Sequence, residues 1–366
     1  MLISVDDAVA RLSKGDIVAL PSETVYGLAG LALETKSVEA IYAYKDRPST
    51  NPLIVHIYSV KAAEKLAHFS PDAYKAAESF WPGPLTLILP KKDCVPDLVT
   101  ADNPTVALRI PKHPVFLKIL QGVEQPLAAP SANPSNRTSP TEAKHLEELF
   151  GKQCPPTVDG GKCSVGIEST VLDLTQKAPT ILRPGAITRK QIIEKMGMDV
   201  QIQQEKVCNH VDKKPQKRMA SPGMQSVHYA PKTPLFLYSS LESFQQKKTY
   251  EPGDLVVLSN AKKSAHLPKD LRELYTLSED GNPQTIAQNL YGTLIELDAK
   301  KANSIHLIFT ENHTGVNRAT WDRLSRAQTK WLNHQARWFA STTPLHQVSL
   351  AIIQELLFQC KNILTL

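Results

Sequence analysis

Over residues 1 to about 200, short apolar runs alternate with stretches of helical spacing, the pattern of an α/β fold. Residues 6–12 carry apolar positions on one face behind Ser4 or Asp6 as N-cap, which predicts a short helix. DIVALP (16–21) reads as a buried strand stopped by its proline. Residues 37–44 repeat Val38, Ile41 and Tyr42 at helical spacing; 51–58 (NPLIVHIY) predicts a strand, and 59–69 and 71–80 predict helices. Strands are predicted at 85–89 and 105–110, closed by Pro90 and Pro111, with a helix at 115–120 and a short buried strand at 127–130. A helix over 141–150, with Ser139 or Thr141 at its cap, precedes strands at 170–174 and 180–183.

The pattern lapses at QIQQEKVCNHVDKKPQKRM (201–219), which reads as a linker. A second α/β pattern follows: a strand at 255–259, an amphipathic helix at 284–297, a strand at 304–309 and a helix over 320–339. There is no internal repeat.

A length of 366 residues exceeds the roughly 250–300 at which one core stops growing, so two domains are expected. Apolar residues at 42% and charged residues at 21% suit globular cores. No run approaches ~18 uncharged apolar residues, so no membrane span is expected. The start, MLISVDDAVARLSKGD, has acids where a secretory signal needs bases. Five cysteines (94, 154, 163, 208, 360) form no CxxC, which points to free thiols, a reducing cytoplasmic setting and no zinc site. The net charge of +6 suits nucleic acid, a phosphate ligand or plain solubility. Its distribution narrows this. Residues 1–200 hold 22 basic and 22 acidic residues, 201–232 hold 6 and 2, and 233–366 hold 14 and 12. Two thirds of the excess sits in the linker.

Five polar stretches end apolar runs in the first half, where α/β proteins place their sites: PSETVYGL (21–28), KDRPSTNPL (45–53), LRIPKHP (108–114), APSANPSNRTSP (129–140) and VGIESTVLD (165–173). Lys45 and Arg47 on a proline-stiffened loop suit polyphosphate, though a solvated surface pair gives the same spacing. Ser131 and Asn133 between prolines suit an anion or adenine, or simply a turn. Arg109 within an apolar strand needs a partner, either a substrate carboxylate or a structural acid. Glu168-Ser169-Thr170 reads as a ligand cluster or a strand-edge cap, and His56 as a ligand or a core histidine. Asp159-Gly160-Gly161 is a tight turn whose amides could cradle phosphate, and Trp81-Pro-Gly-Pro is a core aromatic with a turn. Walker A, GxGxxG, HExxH and GxSxG are absent. The residues by themselves reach an anion or phosphate-compound site in an α/β domain.

In this order, SETVYGL, KDRPSTNPLIVHI, FWPGPLTLIL, TVALRIPKHP, APSANPSNRTSPT, DGG and IESTV followed by ILRPG resemble the YrdC-like family over nearly all of residues 15–190. SPGMQSVHYAP (221–231), LSN (258–260) and NRATWDRLSRA (317–327) resemble the two-domain threonylcarbamoyl-AMP synthases of that family. The resemblance implies a YrdC-like twisted mixed sheet with flanking helices (1–200) and a linker serving as lid (201–232). It further implies a smaller Rossmann-like α/β domain (233–330), leaving an extension of unplaced role (331–366). It also implies that L-threonine, bicarbonate or CO2 and ATP give threonylcarbamoyl-AMP and pyrophosphate, the first step of tRNA threonylcarbamoyladenosine formation. By motif position it assigns Lys45, Arg47, Ser131 and Asn133 to catalysis, and Thr24, His56, Arg109 and Ser169 to threonine. Arg47, Asn51, Thr105, Ser131, Ser139 and Arg183 go to ATP, with Gln225 and Tyr229 covering the nucleotide. Mg2+ is expected with ATP, and transient contact with tRNA or the downstream transferase is expected of such an enzyme. Two alternatives stand beside it. One is a non-catalytic double-stranded RNA or tRNA binder. The other is a carbamoyl transferase using carbamoyl phosphate, which the lack of paired CxxC motifs disfavours.

Overall fold

The structure, a computed structural model, describes residues 1–203, 228–247, 253–267 and 273–329. Gln225, most of the expected lid and the extension from 331 lie outside the described residues. The first large sheet contains β1 (Val18–Leu20), β2 (Gly27–Leu31), β3 (Ile54–His56), β4 (Leu85–Pro90), β5 (Thr105–Arg109), β6 (Leu127–Ala128), β7 (Thr170–Asp173), β8 (Thr180–Arg183) and β9 (Gln201–Ile202). They stand in the order β1-β2-β6-β3-β5-β4-β7-β8-β9. β3/β5, β4/β7 and β8/β9 pair in parallel, and the other neighbours run antiparallel.

Strand alternation divides labour between the two faces. Leu85, Leu87, Leu89, Val106, Leu108 and Val55 face the main core, packed under the helices Thr35–Lys45, Pro71–Phe80 and Arg189–Met196. On the other face Ile54, Ile88, Ala107 and Val171 form a small apolar floor. His56 and Arg109, each two positions on from a floor residue, share that face at the ends of their strands. The pairing of β7 with β8 slips by one residue, setting Leu172 against Ile181 but Val171 against Arg183. The bulge turns Arg183 to the floor side, away from the core that Ile181 enters.

The second sheet is wholly parallel: β10 (Leu235–Tyr238), β11 (Leu255–Leu258), β12 (Leu274–Thr276) and β13 (Ile305–Ile308), in the order β10-β13-β11-β12. The helices Pro283–Ala299 and Gly315–Ala327 accompany it. Both sheets belong to one unit, Met1–Ala327. A single apolar cluster runs from Val25 and Ile167 through Tyr229 to Leu290, Tyr291 and Leu324. Gly166 lies at this seam with φ +78°, and a Cβ there would meet the backbone of Gln288 at 2.4 Å. Only glycine admits so close an approach.

Most predicted elements are present, with differences that have local causes. Ser4, rather than Asp6, caps the helix Val5–Leu12, in a reciprocal box with Asp7. The helix expected over 141–150 begins at Ala143, capped by Glu142 and His145 rather than by Ser139 or Thr141, and the Ser139 hydroxyl donates to Glu168 instead. The helix expected over 59–69 spans only Val60–Glu64, after which Ala67 bridges to Lys91. β2 (GLAGL) was hidden in the sequence by its two glycines. The last described helix, Gly315–Ala327, starts five residues before the predicted 320.

Candidate active site

The Ser22 hydroxyl folds the β1–β2 loop. It accepts from the amides of Thr24 and Val25, both at 3.2 Å, and donates to Val25 O at 2.5 Å. This tight turn sets the Thr24 hydroxyl and the Glu23 carboxylate beside the end of β5. There Arg109 donates from Nη1 to Thr24 Oγ1 (3.0 Å) and from Nε to Gly83 O (3.2 Å), while Nη2 lies 2.7 Å from Glu23 Oε1. Arg109 and Glu23 are both buried. The WPGP turn thus supplies a carbonyl that steers Arg109, and a structural acid already answers its charge.

The helix Thr35–Lys45 ends at Asp46 in the left-handed region, φ 50°. The chain then doubles back through Pro48 and Pro52. Arg47 donates from Nε to Asn51 O (3.1 Å) and from Nη2 to Pro52 O (2.8 Å). Burial is the main force pulling its pKa to about 10, which leaves it protonated at neutral pH. Lys45 points away to the neighbouring loop, donating to the carbonyls of Ser131 and Asn133. Burial, then Arg47, holds that ammonium well below its usual pKa. The Asn133 amide donates to Pro134 O (2.8 Å) and Arg137 O (2.9 Å), stitching the same loop. Ser131 bridges to Gly27 and stays partly exposed.

Across the floor, Arg183 donates from Nε to Ser169 O and from Nη2 to Ser169 Oγ, both at 3.1 Å, and Ser169 Oγ lies 2.8 Å from Thr86 Oγ1. Over the top come His228 and Tyr229, the latter at φ 64°. Their segment is clamped by Thr138 donating to Tyr229 O and Ala230 N donating to Asn136 O. These pieces enclose a pocket with about 580 Å³ of empty space, its mouth included. Thr24, Arg47, His56, Arg109, Ser131, Ser169, Arg183 and Tyr229 all line it, with Glu168 and His228.

Other assigned residues stand back from the pocket. Lys45, Asn133 and Ser139 are buried behind it, and Asn51 offers its carbonyl to Arg47 and to Tyr42. Thr105 starts β5 opposite Pro90, roughly 13 Å along the strand from Arg109, so the structure does not bring it to the site. The Asp-Gly-Gly turn is not a phosphate cradle either. Its Gly160 amide donates to Tyr26 Oη and its Gly161 amide to Asp159 Oδ1.

Among the described residues, His56 Nδ1, His228 Nδ1 and Tyr229 Oη are buried with no hydrogen-bond partner. Such atoms cost about 1–3 kcal/mol each when left unmet, and these three belong to residues that line the pocket, where a polar ligand could meet them. His56 stacks on Phe116 at 5.1 Å, and burial, then Arg109, lowers its pKa to about 3. His228 is held well below its usual pKa by burial, then by Arg47, Lys45, Arg183 and Arg323. Both imidazoles are neutral, so the positive charge of the wall belongs to arginine.

Glu23, Tyr291 and Arg323 carry no role in the motifs of the sequence, yet the structure sets them at the site. Glu168 accepts from Ser139 (2.7 Å), Tyr291 (3.0 Å) and Arg323 (2.9 Å). Arg323 had a readable signal. It interrupts the stripe Val316, Ala319, Thr320, Leu324 and Ala327, all buried, as Arg109 interrupts a strand. Glu23 had none, since its polar loop hides a buried acid.

Fold and pocket together describe an α/β protein whose concave, arginine-lined pocket suits a small anionic compound. A family profile described as "Telomere recombination" matches residues 10–185, and one described as "Threonylcarbamoyl-AMP synthase, C-terminal domain" matches 187–329. The chain is 39% identical over 328 residues to the threonylcarbamoyl-AMP synthase of Bacillus subtilis, covering 87% of this chain and 91% of the relative. It is 36% identical over 328 residues to that of Pyrococcus abyssi, covering 87% and 92%. A crystal structure of P. abyssi Sua5 complexed with L-threonine matches with a TM-score of 0.77 at 35% identity, covering 88% of this chain and 93% of that one. This chain belongs to the threonylcarbamoyl-AMP synthase family.

Proposed function

We propose that the protein condenses L-threonine, bicarbonate or CO2 and ATP into L-threonylcarbamoyl-AMP and pyrophosphate. The observation that carries the reading is the convergence of Arg47, Arg109 and Arg183 on one pocket walled by unpartnered polar atoms. The names of the relatives and the L-threonine complex of the P. abyssi protein support it.

The chemistry asks for little covalent help. The threonine amine adds to the carbon of CO2, giving a carbamate and a proton. A carbamate oxygen then attacks the α-phosphorus of ATP, and the bond to pyrophosphate breaks. Such a transfer depends on positioning and charge neutralisation. Arg47 and Arg183, facing the pocket from separate strands and loops, are placed to neutralise the phosphates, with the Ser131 hydroxyl beside them. Thr24, His56, Arg109 and Ser169 are assigned to threonine, Arg109 to its carboxylate. The Glu23 contact leaves Arg109 N–H groups for that carboxylate while fixing the guanidinium plane. Lys45 and Asn133 act behind the wall by holding the Ser131 loop. Tyr229 and His228 close the top, which keeps water from a hydrolysable mixed anhydride.

Mg2+ is proposed as a companion of ATP, carried on its phosphates. The described residues bring no three His, Cys, Asp or Glu side chains together as a cation cage, and the Glu168 oxygens are already engaged. The product must pass to a transferase acting on tRNA, so transient contact with either belongs to the reading. No helix among the described residues is long and apolar enough to cross a membrane, and the cytoplasm is the proposed setting.

The test incubates protein, ATP and bicarbonate with single amino acids and measures pyrophosphate. Release should require threonine. Release indifferent to the amino acid, or none, overturns the function.

A further inference from the structure

We propose that Arg323, on the last described helix of the C-terminal domain, is a positioning residue for the reaction, acting on the active-site wall through Glu168 and the Tyr229 ring. This rests on the function proposed above and gives the second domain a part in the site beyond anchoring a lid.

Arg323 is fully buried, at 0% exposure. It donates from Nε to Glu168 Oε2 (2.9 Å) and from Nη1 to Asp322 Oδ2 (2.7 Å), and its guanidinium carbon lies 5.5 Å from the Tyr229 ring centroid. Tyr291, on the neighbouring helix, donates to the same Glu168 oxygen (3.0 Å) and stacks on Tyr229 at 5.8 Å. Glu168 lines the pocket and precedes Ser169, whose hydroxyl and carbonyl fix Arg183. One ion pair therefore links a C-terminal helix to a pocket arginine and to the residue that roofs the pocket.

Cohesion alone does not call for this residue. The seam already has a continuous apolar cluster, and a buried ion pair is a weak source of stability compared with apolar packing. A charge in the middle of an apolar helical stripe is explained by what it holds.

Glu168 is faced by Arg183 from β8, Arg323 with Asp322 behind it from one helix, Tyr291 from the other, Ser139 from the loop, and Tyr229 from above. Burial pushes its pKa up, and Arg323, then Arg183, with the Ser139 hydrogen bond, outweigh that and hold it below the usual carboxylate range. Without Arg323 the strongest opposing charge is gone and Glu168 takes up a proton at higher pH. The wall then loses the charge that orders Tyr291 and the Ser169–Arg183 pair.

The experiment uses the full chain. It measures kcat/KM for ATP in threonine-dependent pyrophosphate release across pH, with melting curves in parallel. The proteins are wild type, Arg323→Met, Glu168→Gln, Arg323→Met combined with Glu168→Gln, and Tyr291→Phe. In Arg323→Met the acid limb should move up by at least about one pH unit, tenfold in proton affinity. Adding Glu168→Gln should remove that displacement. Tyr291→Phe should move the limb the same way by a smaller amount, and it decides the matter if Arg323→Met does not melt cooperatively. An unmoved acid limb in folded variants, with activity falling only as folded protein is lost, overturns the proposal. Absence of threonine-dependent release from the wild type would refute the function instead.

Discussion

Lys45 and Arg47 stand two apart in sequence yet act on opposite sides of the pocket wall. Arg47 faces the pocket and donates to the carbonyls of Asn51 and Pro52, so Arg47→Ala should lower threonine-dependent turnover at least tenfold, about 1.4 kcal/mol in barrier, with a smaller loss of stability than Lys45→Ala because Arg47 is only half-buried and Asn51 O keeps its Tyr42 bond. Lys45 satisfies two carbonyls of the Ser131 loop, so Lys45→Ala should lower turnover by a similar factor and also destabilise the fold, by about 1–3 kcal/mol. Turnover assays paired with urea unfolding separate the two. Buried histidines set a second expectation. The pKa of His56 is lowered to about 3 and that of His145 to about 4, in each case chiefly by burial. An unfolded chain binds protons near pH 6.5 that these folded sites refuse. Stability is therefore whole above about 6.5 and falls as pH drops towards 4, by up to about 1.4 kcal/mol per unit for each histidine. Unfolding midpoints at pH 7, 6 and 5 should show this slope, and His56→Gln should flatten it. Sequence exposed Arg109 because a charge in an apolar strand demands a partner. The partner, Glu23, was not legible, because nothing local distinguishes a buried acid from a solvated one in a polar loop.

At the scale of elements, the strand ends predicted to hold chemistry come together at one pocket, because period-two alternation put His56 and Arg109 on the face opposite the core. Arg183 follows a different rule. Strict alternation would send it to the core side with Ile181, and only the slipped register of β7 and β8 brings it to the pocket. A one-residue bulge carries no mark in a four-residue strand, so spacing could not have shown it. Ser139 reads as a cap from sequence but donates to Glu168, a contact set by the seam between the two sheets. That seam depends on Gly166. Gly166→Ala adds a Cβ where the Gln288 backbone already lies 2.4 Å away, at a φ that other residues avoid. It should lower the melting temperature by several degrees and speed hydrogen exchange in the helix Pro283–Ala299. Turnover should fall with it, since Glu168 lies two residues on.

For the molecule as a whole, the net charge of +6 is not a broad basic face. The first 200 residues balance at 22 and 22, and Arg47, Arg109 and Arg183 line a pocket rather than forming an open basic face. A duplex-RNA surface would instead show steeply salt-dependent binding. Tyr229 lines the pocket and packs in the apolar cluster that runs from Val25 and Ile167 to the second sheet, so its contribution should be felt in nucleotide affinity. Tyr229→Ala should raise KM for ATP several-fold in steady-state assays, with the fold kept by the apolar cluster around it. The most direct measurement follows the carbon. Supplied with ATP, L-threonine and 13C-bicarbonate, the protein should form an adenylate whose mass is the sum of threonine, one labelled CO2 and AMP less water, in step with pyrophosphate. An adenylate of threonine without the label, or pyrophosphate with no adenylate containing threonine, would contradict it.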